Sequence, residues 1–384
     1  MICTSIEAQK DDTSQKNLRA APTYAKLSDV PERKRMELEA FGRLFEADLL
    51  ARDASRIYAA FNLPGFMDET LEGFNVSASK HLELRSGMQA RFQSRFESIS
   101  RNWAESEAKY KHLVLHNGKI WLRYRLVFEQ NARVNLVDLL VTPGPNGKLG
   151  ISDIFLHASG FSIVEELRQM ALPILLTLDK EHTNLAPDAD LNEFEKLADM
   201  VSLIKGNDIP GAVSAYHQLS PEMKNQRVPT MLHLLILRRL PDVEAYKDAL
   251  KEAAKVHQEP SFQYMLLDLY LLEKNYTKAA ECQDTLMTLT GKDAVLLATK
   301  ALFQMHGGSK EDARKTMLEA LALEPDCISV HDRAIDVLRE AGDHKALADS
   351  MRFMEEQTTY RFKGELSDPR WADFLKSLES APWR

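Results

Sequence analysis

The C-terminal half of the sequence repeats a turn with a period of about 34 residues, and this period constrains the fold more than any other feature. The clearest turns begin at Lys274, Gly308 and Gly342, which are equally spaced along the chain. The same step backwards reaches further turns at Leu240 and Gly206. Apolar residues at helical spacing surround these turns, so the pattern predicts pairs of helices. The alternative is an irregular helical bundle in which the spacing is accidental.

A helix-turn-helix unit of this length, with a Gly/Asn/Asp turn and a small residue five positions later, resembles the tetratricopeptide repeat. The unit at 294–327 carries the resemblance best. Ala301, Ala313 and Ala320 occupy the small-residue positions, and Pro325 occupies the position of the loop proline. The other units keep fewer of these residues.

The resemblance implies an all-α, tetratricopeptide-like solenoid over residues 191–384, closed by a capping helix near 366–378. In this family the first helices of the repeats line a concave groove that binds a protein or a peptide. The matching positions select these partner-binding candidates: Tyr264, Asp268, Leu272, Leu302, His306, Asp332, Asp336 and Arg339. Their acidic members favour a basic partner. The alternative is that the protein's own first domain, or the helix at 163–178, fills the groove.

The first half of the chain changes from helical to alternating periodicity. Helical spacing predicts three helices, at 31–49, 53–62 and 77–108. Alternation then predicts four antiparallel strands, at 110–116, 119–128, 133–142 and 149–157. Ser162 and Glu165 have the spacing of a capping box, which predicts that a helix begins there.

These elements predict an α+β domain over residues 29–180. Residues 1–28 are polar and irregular, and we expect a disordered tail. A polar stretch with a proline at 179–190 is the predicted boundary before the helical repeats.

Helices followed by an antiparallel meander resemble the cone-shaped fold of the nuclear-transport-factor and ketosteroid-isomerase superfamily. The run from Asp153 to Gly160, ahead of a capped helix, also resembles bacterial proteins that join such a domain to tetratricopeptide repeats. The resemblance implies a domain that binds a small ligand, forms a homodimer through its sheet, or caps the solenoid. In the isomerases of this superfamily, a carboxylate in the pocket abstracts a proton.

Two aspartates inside apolar strands, Asp138 and Asp153, are the catalytic candidates. If Asn146-Gly147 forms a tight turn, Leu140 faces Asp153; if residues 143–148 form a loop, Asp138 faces Asp153 directly. A buried acid beside a second acid has a raised pKa and suits proton transfer. The competing explanations are a non-catalytic pocket and structural roles, in which the aspartates bond backbone amides or pair with Arg123, Arg125 or Arg133.

Composition limits the possible partners. The net charge of −8 gives no basic excess for nucleic acid. No apolar run approaches the roughly 20 residues of a membrane helix. The 11 histidines have no metal-site spacing, no nucleotide or nucleophile motif is present, and we expect no cofactor and no metal. Cys282 and Cys327 are expected to be buried.

The sequence therefore predicts a non-enzymatic interaction scaffold with a protein or peptide partner. The alternative is an isomerase- or hydrolase-like enzyme that uses Asp138 or Asp153. The chain as written predicts a cytoplasmic protein. Cys3 followed by a polar stretch also fits a mature lipoprotein, which would be periplasmic or lipid-anchored if a leader ahead of Cys3 had been removed.

Overall fold

A computed structural model describes residues 23–72, 93–128, 133–168, 191–257 and 262–383. The predicted boundary at 179–190 and most of the predicted tail lie outside these ranges. The N-terminal helices are α1 (Glu32–Leu50), α2 (Ala54–Ala59), α3 (Leu63–Leu71), α4 (93–104) and α5 (163–168). The strands are β1 (Ser106–His116), β2 (Lys119–Phe128), β3 (Arg133–Pro143), β4 (Leu149–Leu156) and β5 (Phe161–Ser162).

The strands form one antiparallel sheet in the order β1-β2-β3-β4-β5, so the predicted count of four strands was wrong. Strand β5 has only two residues, too few to show an alternating pattern. Ser162 pairs with Phe155 in the sheet and also begins α5. Its hydroxyl accepts the Glu165 amide at 3.0 Å, and the Glu165 carboxylate accepts the Ser162 amide at 2.7 Å, which confirms the predicted capping box.

The segment Asn62-Leu-Pro-Gly65 begins a helix, whereas the sequence pattern suggested that it ends one. The Asn62 side chain accepts the Gly65 amide at 3.1 Å, and Pro64 lies in the first turn of α3, where a missing amide hydrogen is tolerated. Strand β1 also begins four residues earlier than predicted, at Ser106, inside the predicted third helix.

Both faces of the sheet are buried. Successive side chains of β2 point to opposite faces and so belong to different cores. Leu122, Tyr124 and Leu126 pack with the N-terminal helices in a core that includes Phe45. Val127 belongs instead to a second core made of C-terminal helices. The sheet therefore lies between two sets of helices, and a homodimer through the sheet would have to use its edges.

Most of the C-terminal helices follow one another in contacting pairs. They are α6 (Leu191–Lys205), α7 (Ile209–His217), α8 (Pro221–Lys224), α9 (Arg227–Leu237), α10 (Val243–Val256), α11 (Gln263–Leu272), α12 (Tyr276–Thr290), α13 (Ala294–His306), α14 (Lys310–Leu323), α15 (Ile328–Ala341), α16 (His344–Gln357) and α17 (Ala372–Lys376).

Five turns join the helices of the pairs, and they keep the predicted period. The residues that precede the second helices follow one another at an almost constant spacing; they are Asp208, Asp242, Asn275, Ser309 and Asp343. All but Ser309 accept a backbone amide three residues later, which caps the helix.

The small residues at the predicted close contacts are buried. Ala279, Ala301, Ala313 and Ala320 are fully buried between neighbouring helices. Cys282 and Cys327 are free and buried in the helical cores, as expected.

The C-terminal segment covers the last helix pair. Where the sequence predicts one capping helix, the chain forms a 3-10 turn at Pro369–Trp371 and then the short helix α17. Trp371, Phe374 and Trp383 are buried in the same core as α13 to α16. This apolar contact closes the end of the helical array.

Candidate functional site

The face of the sheet that meets the C-terminal helices carries buried charges. Arg125 of β2 is only 1% exposed. Its two terminal nitrogens lie 3.0 and 2.9 Å from the two carboxylate oxygens of Glu324, after the end of α14. One of them also lies 3.1 Å from Asp293. The guanidinium thus joins the sheet to two helices through charge-assisted hydrogen bonds.

Asp293 has two roles at this contact. Its carboxylate accepts the amides of Val295 and Leu296, both at 3.1 Å, and so caps α13. It also accepts a hydrogen bond from Lys111 of β1 at 2.7 Å. Burial opposes its negative charge, but Arg125 and Lys111 hold the pKa of Asp293 below its ordinary value. Two cations and two carboxylates, including Glu324, therefore balance one another at the interface.

Asp138 forms a second charged cluster on this face. Arg123 donates to its two carboxylate oxygens, each at 2.7 Å, and His116 and His157 lie 2.5 and 2.9 Å from one of them. Arg123 also donates to the Leu289 carbonyl of α12. Burial opposes ionisation, but the hydrogen bonds from Arg123 and the histidines hold the pKa of Asp138 well below its ordinary value. Asp138 is therefore a carboxylate at neutral pH.

The same cluster has the residue types of a metal site. Donor atoms of His116, Asp138 and His157 all lie within 4.8 Å of one another. However, Arg123 is bound to both oxygens of Asp138 and lies 3.3 Å from the His157 ring nitrogen. A guanidinium cation at this distance repels a second cation, so the arrangement does not fit a metal ion. Sequence spacing could not reveal the cluster, because the sheet register brings its members together.

The residues of β3 and β4 pair as expected for a tight turn at Asn146-Gly147, but the turn is longer than two residues. Asp138 pairs with Phe155, and Leu140 pairs with Asp153. The chain reverses through residues 144–148, and a bulge after Leu140 compensates for the odd loop length.

Asp153 has backbone amides as partners. Its carboxylate accepts the amides of Ile154 at 2.7 Å and Val164 at 3.0 Å, which ties β4 to the start of α5. Burial raises the pKa of Asp153 to about 6, although these hydrogen bonds act in the opposite direction. Asp138 and Asp153 therefore lie in different environments and share none of the partners named above.

Two of the predicted groove residues, Tyr264 and Asp268, lie beside a cavity of about 430 Å³ between the sheet and the C-terminal helices. Asp268 accepts the Tyr246 hydroxyl at 3.1 Å and pairs with Arg238 at 3.6 Å. The cavity lining also includes, from the sheet side, Phe128, Val134, Asn135 and Ala158, and from the helices Met265, Leu267, Leu271, Gln283, Leu286, Leu296, Thr299 and Phe303.

The other predicted groove residues lie elsewhere on the helices. Leu272 and His306 are exposed, and Leu302 is half-buried. Asp332 and Asp336 are exposed on α15. On the same helix, Arg339 pairs with Asp336 at 2.8 Å and lies over the Trp371 ring of the C-terminal segment.

Among the described residues, no helix has the length and apolar character needed to cross a membrane.

No family model and no curated protein matches the sequence. A solved structure titled "MamA RS-1 ArsTM double mutant" is similar in part, with 16% sequence identity and a TM-score of 0.37. The match covers 44% of this chain and 97% of that chain. At this TM-score the likeness does not bear on the fold or the function of the protein.

Proposed function

We propose that the protein is a non-enzymatic interaction scaffold whose helix pairs form a tetratricopeptide-like solenoid. The observation that carries this proposal is the regular series of five turns from Asp208 to Asp343, four of which are capped by a side chain. Repeated helix pairs present their first helices side by side and so form an extended binding surface. A protein or peptide partner binds on this surface.

The partner surface consists of Leu302 and His306 on α13 with Asp332 and Asp336 on α15. Leu302 and Asp336 occupy equivalent positions, one repeat apart, in neighbouring pairs. Both aspartates are exposed, and Asp336 pairs with Arg339 of the same helix. The surface therefore suits a basic peptide segment. Leu272 of α11 and Arg339 of α15 are further members of the proposed surface, whereas Tyr264 and Asp268 line the cavity under the sheet.

The hydrogen-bond pattern of the two sheet aspartates supports the scaffold over the enzymatic alternative. Asp138 is held ionised by a bidentate arginine, so it is a poor proton donor or acceptor near neutral pH. Asp153 is 5% exposed, and its carboxylate bonds the amides that join β4 to α5. Both carboxylates thus serve the packing of the sheet.

The test is a peptide selection followed by measured affinities. Phage-displayed peptides are selected on the full chain, and the enriched peptides are titrated calorimetrically. We expect basic peptides, whose affinity falls as salt rises because the charges that attract them are exposed. The Asp332→Lys/Asp336→Lys variant should bind them at least tenfold more weakly.

The matched control reverses two exposed acids on a second helix, Asp349→Lys/Glu356→Lys on α16. It changes the net charge by the same amount away from the proposed surface, and its affinity should equal that of the wild type. Equal binding to both charge-reversed variants would remove the proposed surface. If the selection enriches no peptides, the scaffold proposal fails.

A further inference from the structure

The cavity between the sheet and helices α11 to α13 is a separate site. We propose that it binds a small, uncharged and largely apolar molecule that carries one hydrogen-bond donor, such as a hydroxyl or an amine N–H. This inference does not depend on the proposed partner surface, which lies on α13 and α15.

The size and walls of the cavity suit such a molecule. Its volume of about 430 Å³ lies within the range of about 300–1,000 Å³ that is typical of small-ligand sites. Phe128, Val134 and Ala158 form the sheet side, and Leu286 and Phe303 are among the apolar residues of the helix side. Apolar walls from two parts of the chain favour a ligand that is mostly hydrocarbon.

Two buried polar atoms at the cavity indicate where a ligand would form a hydrogen bond. The Asn135 side-chain oxygen is buried and has no hydrogen-bond partner among the described residues. The Tyr264 hydroxyl is also buried, and it lies beside the Leu136 backbone. Leaving a buried polar group without a partner is unfavourable, so a ligand that donates to Asn135 recovers free energy.

The charges at the cavity favour a neutral ligand. Arg238 and Asp268 are the charged residues of the lining, and they form a pair with each other at 3.6 Å. Tyr246 donates a further hydrogen bond to Asp268 at 3.1 Å. A charged ligand would have to compete with this pair, whereas a neutral ligand leaves it intact.

The test uses N-phenyl-1-naphthylamine, a neutral fluorescent probe with one N–H donor, and the full chain. We expect a saturable rise in fluorescence with one site per chain. Leu271→Trp and Ala158→Trp place a large ring in the lining and should weaken binding about tenfold or more. Leu44→Trp adds the same ring at an exposed position of α1, outside the lining, and should leave the affinity unchanged.

The polar contact is tested with Asn135→Leu and a second probe, 1-benzylnaphthalene, which has the same shape without the donor. Asn135→Leu should weaken the amine probe about tenfold, the loss of roughly one hydrogen bond, and leave the hydrocarbon probe unaffected. Far-UV circular dichroism confirms that each variant is folded.

Three outcomes would overturn the proposal. The first is an absence of saturable binding by the wild type. The second is unchanged affinity in both ring-filling variants, which would place the probe elsewhere. The third is displacement of the probe by the selected basic peptides, which would make the cavity a part of the partner surface.

Discussion

At the scale of single residues, Asp138 and Asp153 show how the same side chain takes opposite properties from its surroundings. Arg123 stabilises the ionised form of Asp138, and its pKa falls. Asp153 has backbone amides as partners and no arginine among its hydrogen bonds, and burial raises its pKa. Both side chains lie at 5% exposure or less, so the difference comes from the partners and not from the depth of burial.

The Arg123–Asp138 pair should be strongly coupled. Asp138→Leu leaves a buried arginine without its main partner, and we expect a loss of about 3–5 kcal/mol in the free energy of unfolding. Arg123→Leu should cost a similar amount, and the double variant should lose less than the sum. Urea denaturation of the four proteins measures this coupling.

The control for this comparison is the exposed ion pair of Lys345 and Asp349, whose charged atoms lie 3.6 Å apart. Its alanine variants should change the free energy of unfolding by no more than about 0.5 kcal/mol. Additive effects of the two buried substitutions would show that the pair is not a stabilising unit.

Asp153 should make the protein less stable as the pH rises from about 4 to about 6. Its carboxyl has a pKa of about 6 in the folded protein and an ordinary value of 3.8. The folded state therefore holds the proton more tightly, and the stability that this gives is complete below the ordinary value and lost as the pH passes the folded value.

Asp153→Asn cannot ionise and keeps an oxygen for the two amides. The variant should gain stability relative to the wild type across that pH range, and the difference should be constant above about pH 7. Urea denaturation at several pH values measures it, with exposed Asp349→Asn as the control. A difference that does not vary with pH would contradict the raised pKa.

At the scale of elements, the turns show which parts of the fold the sequence predicts. The turn residues and the strand alternation are local signals, and the helix pairs, the β2 strand and the capping box follow from them. The fifth strand, the start of α3 and the bulge after Leu140 were missed. Each of these depends on contacts with distant segments, as when Asn62 donates to Thr142 at 3.2 Å.

The candidate site was predicted less well for the same reason. Tyr264 and Asp268 do lie beside a cavity under the sheet. The alternative that the first domain fills the groove named the domain, but no sequence pattern placed the sheet over these two residues. The charged contacts of Arg125 join residues that are 168 and 199 positions apart in the sequence. Periodic sequence patterns cannot predict such pairs, because the two residues come together only when the sheet packs on the helices.

In each turn, the residue with a left-handed backbone conformation should affect the free energy of unfolding. Lys274, Gly308 and Gly342 hold equivalent positions and have φ angles of 55°, 85° and 75°. A residue with a Cβ is disfavoured there by about 1–2 kcal/mol. Lys274→Gly should therefore stabilise the protein by up to about 1 kcal/mol, and Gly342→Ala should destabilise it by about 1 kcal/mol.

Thermal and urea denaturation of the two variants measure these changes. Gly206→Ala, at a turn position without a left-handed φ, is the control and should have a smaller effect. If Gly342→Ala is as stable as the wild type, the turn is not held in the left-handed conformation.

At the scale of the whole molecule, Arg125 couples the sheet to the helices. Arg125→Met keeps most of the side-chain volume but leaves Asp293 and Glu324 with Lys111 as their nearest remaining cation. We expect a loss of about 3–5 kcal/mol and separate unfolding of the two parts.

The tryptophans allow each part to be followed separately. Trp103 and Trp121 lie in the N-terminal part, and Trp371 and Trp383 lie in the C-terminal part. Two versions of the protein each keep one of these tryptophan pairs, so the fluorescence of each version reports the unfolding of one part. The urea transitions of the two versions should coincide when Arg125 is present and separate in Arg125→Met. Arg101→Met, at an exposed arginine of α4, should leave them coincident. Coincident transitions in Arg125→Met would show that the two parts stay coupled without Arg125.

The interface between sheet and helices also sets an order of events during synthesis. The partners of Arg125, Asp293 and Glu324, follow it by 168 and 199 residues. Glu107 accepts a hydrogen bond from the amide of Ser329, which follows it by 222 residues. The sheet leaves the ribosome with its charged face still in water, and that face is covered only after most of the chain has been made. Contacts this distant in sequence form slowly, so one face of the sheet stays uncovered while the residues between Arg125 and Asp293 are added to the nascent chain.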